Sequence, residues 1–336
     1  MVKKITRRHF LGDTCVFFAG GALALESLAQ QQKPSFLPCR KRLPNPYVEN
    51  GKSIVVVVHG TQFAPMLAKG MGILGGFARL GKNKAVHLKP NFVAASPYPV
   101  TTDGLSLLST IEFLKKEGFN DITIAEFAYS YRAYAFQLYN LDEKAKIGGF
   151  KVKDLFDDEV VLVKDRRWVA IPSASVFKSV YETPLIINMP TLKQHAPMQF
   201  TCALKNTMGQ VNRTTRKDMH REGIEYNAES PDRKTIMSHR AIAEIASAID
   251  PDLTIIDARY CLGKSHHLSW GGISLKADRI IISGDALAAD RVAAEVLAEC
   301  YSGFKTEMAI LQLEHAAHLG LGALNRDQIV IKDVSV

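Results

Sequence analysis

From residue 53 onward, short apolar runs alternate with longer stretches in which apolar side chains recur every third or fourth position. Ile54–Val58 is continuously apolar and β-branched, the pattern of a strand buried on both faces. Ala85–Leu88, Ile122–Ala125, Leu185–Asn188, Leu253–Ile256 and Arg279–Ile282 read as further strands. Between them, helical periodicity covers Phe63–Leu80, Leu105–Lys116, Ile236–Ile249 and Ala286–Ala298. Thr102 and Asp103 are capping candidates for the second of these helices, and Gly118 stops it. Val160–Val163 and Trp168–Ile171 predict a hairpin around Lys164–Arg167. The polar, irregular stretch 210–235 predicts a long functional loop or lid. Strand–helix alternation of this kind predicts an α/β fold over 53–336, with a mostly parallel sheet and flanking helices. The Pro-rich segment 30–52 reads as a linker or an extended arm ahead of it.

Polar residues collect where the predicted strands end. Lys89 and Asn91, Glu126, Lys193 and His195, Asp257 and Asp285 each follow an apolar run. Ligands of open parallel sheets gather at the carboxyl ends of strands, so these residues predict a pocket there. The densest cluster follows Leu185–Asn188: the run stops at Pro190, and Lys193, His195, Lys205 and Asn206 arrive shortly afterwards. Three ammonium groups, on Lys89, Lys193 and Lys205, are enough to hold a phosphate or carboxylate.

Composition adds a targeting signal and some exclusions. The chain has 336 residues and a formal net charge of +8. Thr6-Arg7-Arg8-His9-Phe10-Leu11 resembles the twin-arginine export motif, and a Gly/Ala-rich apolar segment follows it to a small-x-small site at Ser27–Ala29. Residues 1–29 therefore read as a signal peptide. The expected consequences are recognition by the twin-arginine export machinery, a periplasmic or otherwise exported location, and a mature chain with no membrane span. No Lys/Arg run with interleaved aromatics is present, which argues against nucleic acid as a partner. Cys39, Cys202, Cys261 and Cys300 are widely spaced, with no iron–sulfur or zinc pattern among them. Cys202 and Cys300 fall in apolar stretches that read as helical, where a buried structural thiol is expected. Walker, nucleophile-elbow and dinucleotide fingerprints are absent.

Several blocks carry a family resemblance. They are Val86-His87-Leu88-Lys89-Pro90-Asn91, Thr101-Thr102-Asp103, Ile124-Ala125-Glu126, Ile187–His195, Ala203-Leu204-Lys205-Asn206, Ile255-Ile256-Asp257 and Gly284–Asp290. In order and spacing they resemble domain-of-unknown-function family 362 across roughly residues 53–300. Many members of that family append a ferredoxin-like cysteine run, which this chain lacks. Where the family often has a Gly-Pro-containing loop, this chain has Trp270-Gly271-Gly272-Ile273 after His266-His267. In organisation the chain is also similar to the N-terminal part of nickel-dependent lactate racemases. The resemblance implies a fold and a site region; it does not imply a reaction.

Two functions fit these readings. The first is an exported enzyme acting on an anionic small molecule. Lys89, Asn91, Asp103, Lys193, Lys205, Asn206 and Asp285 would bind the ligand, and His195, Glu126 and Asp257 would do the chemistry, with a divalent metal as an optional cofactor. The second is a non-catalytic accessory factor that holds a cofactor or metal for a redox partner. Asp103 and Asp285 also suit helix N-caps, a bland role that competes with ligand binding. Three further histidine groups compete for attention: His220 with His239, His266-His267 at a pocket rim, and His315 with His318 on a terminal helix.

Overall fold

In the computed structural model, the described residues are 34–127, 134–195, 198–220 and 231–336. Phe36–Val336 forms one compact unit that carries the sheet and its helices.

The chain enters along an extended arm to strand β1 (Val48–Glu49), then β2 (Lys52–His59) and helix α1 (Phe63–Leu74). The periodicity expected to run on to Leu80 breaks at Gly75–Gly76, both at φ +85°, a backbone setting that favours glycine. Strand β3 (Val86–Lys89), helix α2 (Gly104–Lys116) and strand β4 (Ile122–Glu126) follow. Short helices α3 (Tyr134–Gln137) and α4 (Leu141–Gly148) lead to β5 (Lys151–Asp154) and β6 (Val160–Val163). Next come β7 (Ala174–Phe177), α5 (Lys178–Tyr181), β8 (Leu185–Asn188), β9 (Thr191–His195) and β10 (Gln199–Thr201). Helices α6 (Ala203–Asn206), α7 (Arg213–His220) and α8 (Pro231–Ile249) precede the long strands β11 (Leu253–Gly263) and β12 (Ile273–Ser283). Helices α9 (Ala286–Cys300) and α10 (Ile310–His318) and strand β13 (Ile329–Ser335) complete the chain.

The sheet order is β1-β2-β12-β11-β8-β3-β4-β5, with β13 on β2, β9 on β11 and β10 on β9. β11, β8, β3, β4 and β5 are parallel neighbours, whereas β12 is antiparallel to both β11 and β2. This is the expected mixed, mostly parallel α/β sheet. Period-2 alternation divides each strand between two cores. Val55, Val57, Ile186, Ile256 and Ile281 face α8, α9 and α10; Val56, Val58, Leu88, Ile187, Ile255 and Ile282 face α1 and α2.

Five expectations about elements are corrected. β6 pairs with β7, not with Trp168–Ile171, because the backbone N–H groups of Val169, Ala170 and Ile171 donate to the buried carboxylate of Glu244 instead. The supposed lid is partly regular: α7 occupies 213–220 and α8 begins at Pro231, while 221–230 lies outside the described residues. Strand structure resumes after Pro190, so Lys193 and His195 lie on β9, and the two strands read as short runs form the long β11–β12 hairpin. Cys202 stands at the N-cap of α6, fully buried, rather than within a helix.

Candidate functional site

Where β3, β4 and β8 end, a cavity of about 270 Å³ opens. Lys89, Asn91, Glu126, Lys193, His195, Lys205 and Asn206 all line it. Seven of the ten residues expected at the site thus converge.

Each has a local reason for its place. Lys89 ends β3 and meets Glu126 at the end of the neighbouring β4, Nζ to Oε2 at 2.5 Å, with both side chains buried. Burial lowers the Lys89 pKa, and the Glu126 charge opposes that shift. Gly209 lies against this pair. A Cβ there would overlap Glu126 Oε1 and lie 2.7 Å from Lys89 Nζ, so the site requires glycine. Asn206 donates to Asn188 Oδ1 at 2.7 Å, and Asn188 donates to Ala203 O at 3.0 Å, which ties the end of β8 to α6. The first turn of α6 is held from α9: Asp290 accepts from Ala203 N at 2.6 Å and Leu204 N at 2.9 Å.

Lys193 and Lys205 differ from Lys89. Lys193 is buried and donates to Val100 O at 2.6 Å and Asn91 Oδ1 at 3.2 Å; among the described residues no carboxylate pairs with it. Burial, with the Lys205 charge second, pushes its pKa down to about 7. Lys205 is half-buried, and among the described residues its Nζ has no hydrogen-bond partner. Burial and then the Arg216 charge push it down to about 8. Two further polar groups of the lining lack partners within the described residues, Thr201 Oγ1 and His266 Nδ1.

His195 Nδ1 accepts from Met198 N at 3.2 Å, which places the ring proton on Nε2. Its ring stacks on His266 at 3.8 Å with a 4° interplanar angle. Burial first, then Lys205, hold both imidazoles neutral, with His266 lowered to about 3. His195 therefore offers the pocket an N–H donor. In this tautomer it is neither a proton acceptor nor a metal ligand, which changes the role expected of it. Among the described residues, Glu126 is paired with Lys89, and no group of three His, Cys, Asp or Glu donors converges.

Arg213, Arg216, Lys217 and His220 line the same cavity, residues that sequence reasoning missed apart from His220. Their spacing puts them on one face of α7, with Thr215 and Met219 buried on the other. That spacing was readable, but the polarity of the segment reads as irregular loop. Arg216 is further placed by donating to Phe127 O at 2.8 Å and lying over the Phe127 ring at 4.4 Å.

The other three expected residues are elsewhere. Asp285 follows β12, the strand that runs against its neighbours, so it emerges at the opposite end of the sheet. There it caps α9 through Ala288 N at 2.9 Å and accepts from Ser53 Oγ and Ala323 N. Asp257 lies inside β11, not at its end. It accepts from Tyr98 and Ser106 hydroxyls, each at 2.8 Å, and pairs with Arg259 at 2.7 Å. Asp103 caps α2 and pairs with the same guanidinium at 2.7 Å. These two carboxylates lock the sheet to α2 and do not line the cavity. Of the remaining histidines, His239 is buried in α8 with neither ring nitrogen partnered among the described residues, and His315 bonds Glu244 at 3.1 Å. All four described cysteines are free.

No helix among the described residues is long and apolar enough to cross a membrane. No curated protein matches this chain. Among solved structures it is similar to the lactate racemase apoprotein from Thermoanaerobacterium thermosaccharolyticum, at 11% identity and a TM-score of 0.44. That similarity covers 77% of this chain and 62% of the other, so the chain spans less than two thirds of the racemase's length. A family model described as a domain of unknown function, DUF362, matches residues 86–295. That span takes in β3 through most of α9, including every residue named in the cavity lining, and the chain belongs to the DUF362 family.

Proposed function

We propose that this chain is an exported protein whose strand-end pocket binds a small phosphate- or carboxylate-bearing molecule and acts on it. The observation that carries the reading is the pairing state of the lysines. Among the described residues, Lys193 and Lys205 face the cavity with no carboxylate neighbour, and the one carboxylate that lines it, Glu126, is taken by Lys89. An uncompensated buried cation is costly, and a bound anion removes that cost. Thr201 Oγ1, His266 Nδ1 and the His195 Nε2–H supply neutral polar contacts around it. The basic face of α7 lies along the same cavity and would attract an anion from solution. For chemistry on the bound ligand, the protonated Lys193 that holds the anion is also the group poised to give up a proton, because burial and the Lys205 charge lower its pKa to about 7.

Native mass spectrometry of the purified mature protein tests this. A small anionic adduct is expected, and it should be lost in the Lys193→Ala/Lys205→Ala double variant. A neutral or cationic adduct, or one retained by that variant, contradicts the reading. Export is tested separately by fractionation: Arg7→Lys/Arg8→Lys should leave the protein in the cytoplasm, and unchanged periplasmic recovery would remove the twin-arginine route.

A further inference from the structure

The same pocket has an aromatic wall that leads out to solvent. His195 stacks on His266 inside it, and His266 meets the Trp270 ring edge-to-face at 4.8 Å. Trp270 is 65% exposed and lies against His267, ring centroids 5.1 Å apart. The loop carrying these rings is firmly built. Both His267 nitrogens are engaged, Nε2 with Ser96 Oγ at 3.1 Å and Nδ1 with Ser269 Oγ at 2.6 Å. Gly271 closes the turn at φ +78°, and a Cβ on Gly272 would lie 2.8 Å from two backbone carbonyl oxygens. An indole held by such a loop beside a cationic cavity is costly surface to leave in water. The cavity itself, at about 270 Å³, is large enough for an anionic head and part of what it carries.

Resting on the anion-pocket reading, we infer that the ligand is a planar heteroaromatic compound carrying a phosphate or carboxylate, of the mononucleotide class. The anionic head lies at Lys193 and Lys205, and the ring stacks on Trp270 at the mouth. His266, whose Nδ1 has no partner among the described residues, contacts the connecting polar portion between the two subsites.

Titration calorimetry with AMP, nicotinamide mononucleotide and FMN, against ribose 5-phosphate and inorganic phosphate, tests the assignment. Stacking should make at least one of the three bind roughly 5- to 150-fold more tightly than ribose 5-phosphate. Trp270→Ala should erase that advantage while leaving phosphate affinity unchanged, and Trp270→Phe should keep most of it. Binding should also quench the Trp270 emission, which a Trp168→Phe variant isolates because the chain has two tryptophans. Ribose 5-phosphate binding as tightly as all three nucleotides overturns the stacking subsite and leaves the anion pocket standing. A nucleotide advantage that survives Trp270→Ala also overturns it. Failure of every phosphate to bind overturns both.

Discussion

At the scale of single residues, function turns on which lysines are already neutralised. Lys89 and Glu126 form a closed pair, whereas Lys193 and Lys205 lack an acidic partner among the described residues. Their pKa values, about 7 and about 8, are depressed from the ordinary lysine value of 10.5. Because the folded values lie below the unfolded ones, the unfolded chain takes up protons first as pH falls from about 10.5. These lysines therefore withdraw stability over that fall, and the loss levels off below about pH 7. Anion binding has the opposite sense, since it needs the protonated forms. Phosphate should raise the thermal midpoint most below pH 7 and progressively less up to pH 9; a phosphate effect that is flat from pH 6 to 9 would dissociate these lysines from the anion. The imidazoles of His195 and His266 stay neutral throughout that range and contribute no competing step. Gly209 is the most sensitive position nearby. Gly209→Ala should cost about 2–4 kcal/mol in denaturant unfolding, because the new methyl group must break the Lys89–Glu126 pair or displace its own backbone.

At the scale of elements, Asp290 and Asp285 are five residues apart on and before α9, yet they serve different elements. Asp290 holds the start of α6 and thereby aims Lys205; Asp285 caps α9 at the far edge. Asp290→Ala should cost about 2–3 kcal/mol, as two buried N–H groups lose their acceptor, and should also weaken phosphate binding. Asp285→Ala should cost about 1–2 kcal/mol and leave phosphate affinity unchanged. Equal effects of the two on affinity would contradict the division. This pair also shows how far the sequence could be read. Apolar runs located β2, β3, β4, β8, β11 and β12, and the expected convergence at strand ends holds for the residues that follow β3, β4 and β8. The runs carry no directional information, however, so the antiparallel β12 sent Asp285 to the wrong side. Nor do they mark where a buried strand stops, so Asp257, well inside β11, read as a strand end. The cations of α7 went unrecognised because strong polarity hid a helical period that its residue spacing contains.

At the scale of the molecule, one arm and one sheet set the frame of the pocket. Ahead of β1, residues 37–43 pack on the sheet and its neighbours. Buried Arg40 pairs with Asp252 at 2.7 Å and donates to the carbonyls of Thr183, Pro184, Ile249 and Asp250. Asp252 in turn accepts from Ile186 N at 2.8 Å, so the arm bears on β8, the strand that leads into the site. Arg40→Ala should cost about 3–5 kcal/mol in unfolding experiments by leaving that carboxylate buried and unpaired; a cost below about 1 kcal/mol would show that the arm is dispensable. With the sheet fixed in this way, β3, β4 and β8 converge on the cavity, and α7 brings a second set of cations to it. The central claim is that this cavity is an anion site built on Lys193 and Lys205. Titration calorimetry with inorganic phosphate and with malonate, at pH 6.5 and low salt, tests it most directly. Saturable one-to-one binding is predicted for at least one of them, weakened about tenfold or more in Lys205→Ala and further in the Lys193→Ala/Lys205→Ala double variant. Affinity unchanged in that double variant, or no saturable binding of either anion, would contradict the claim.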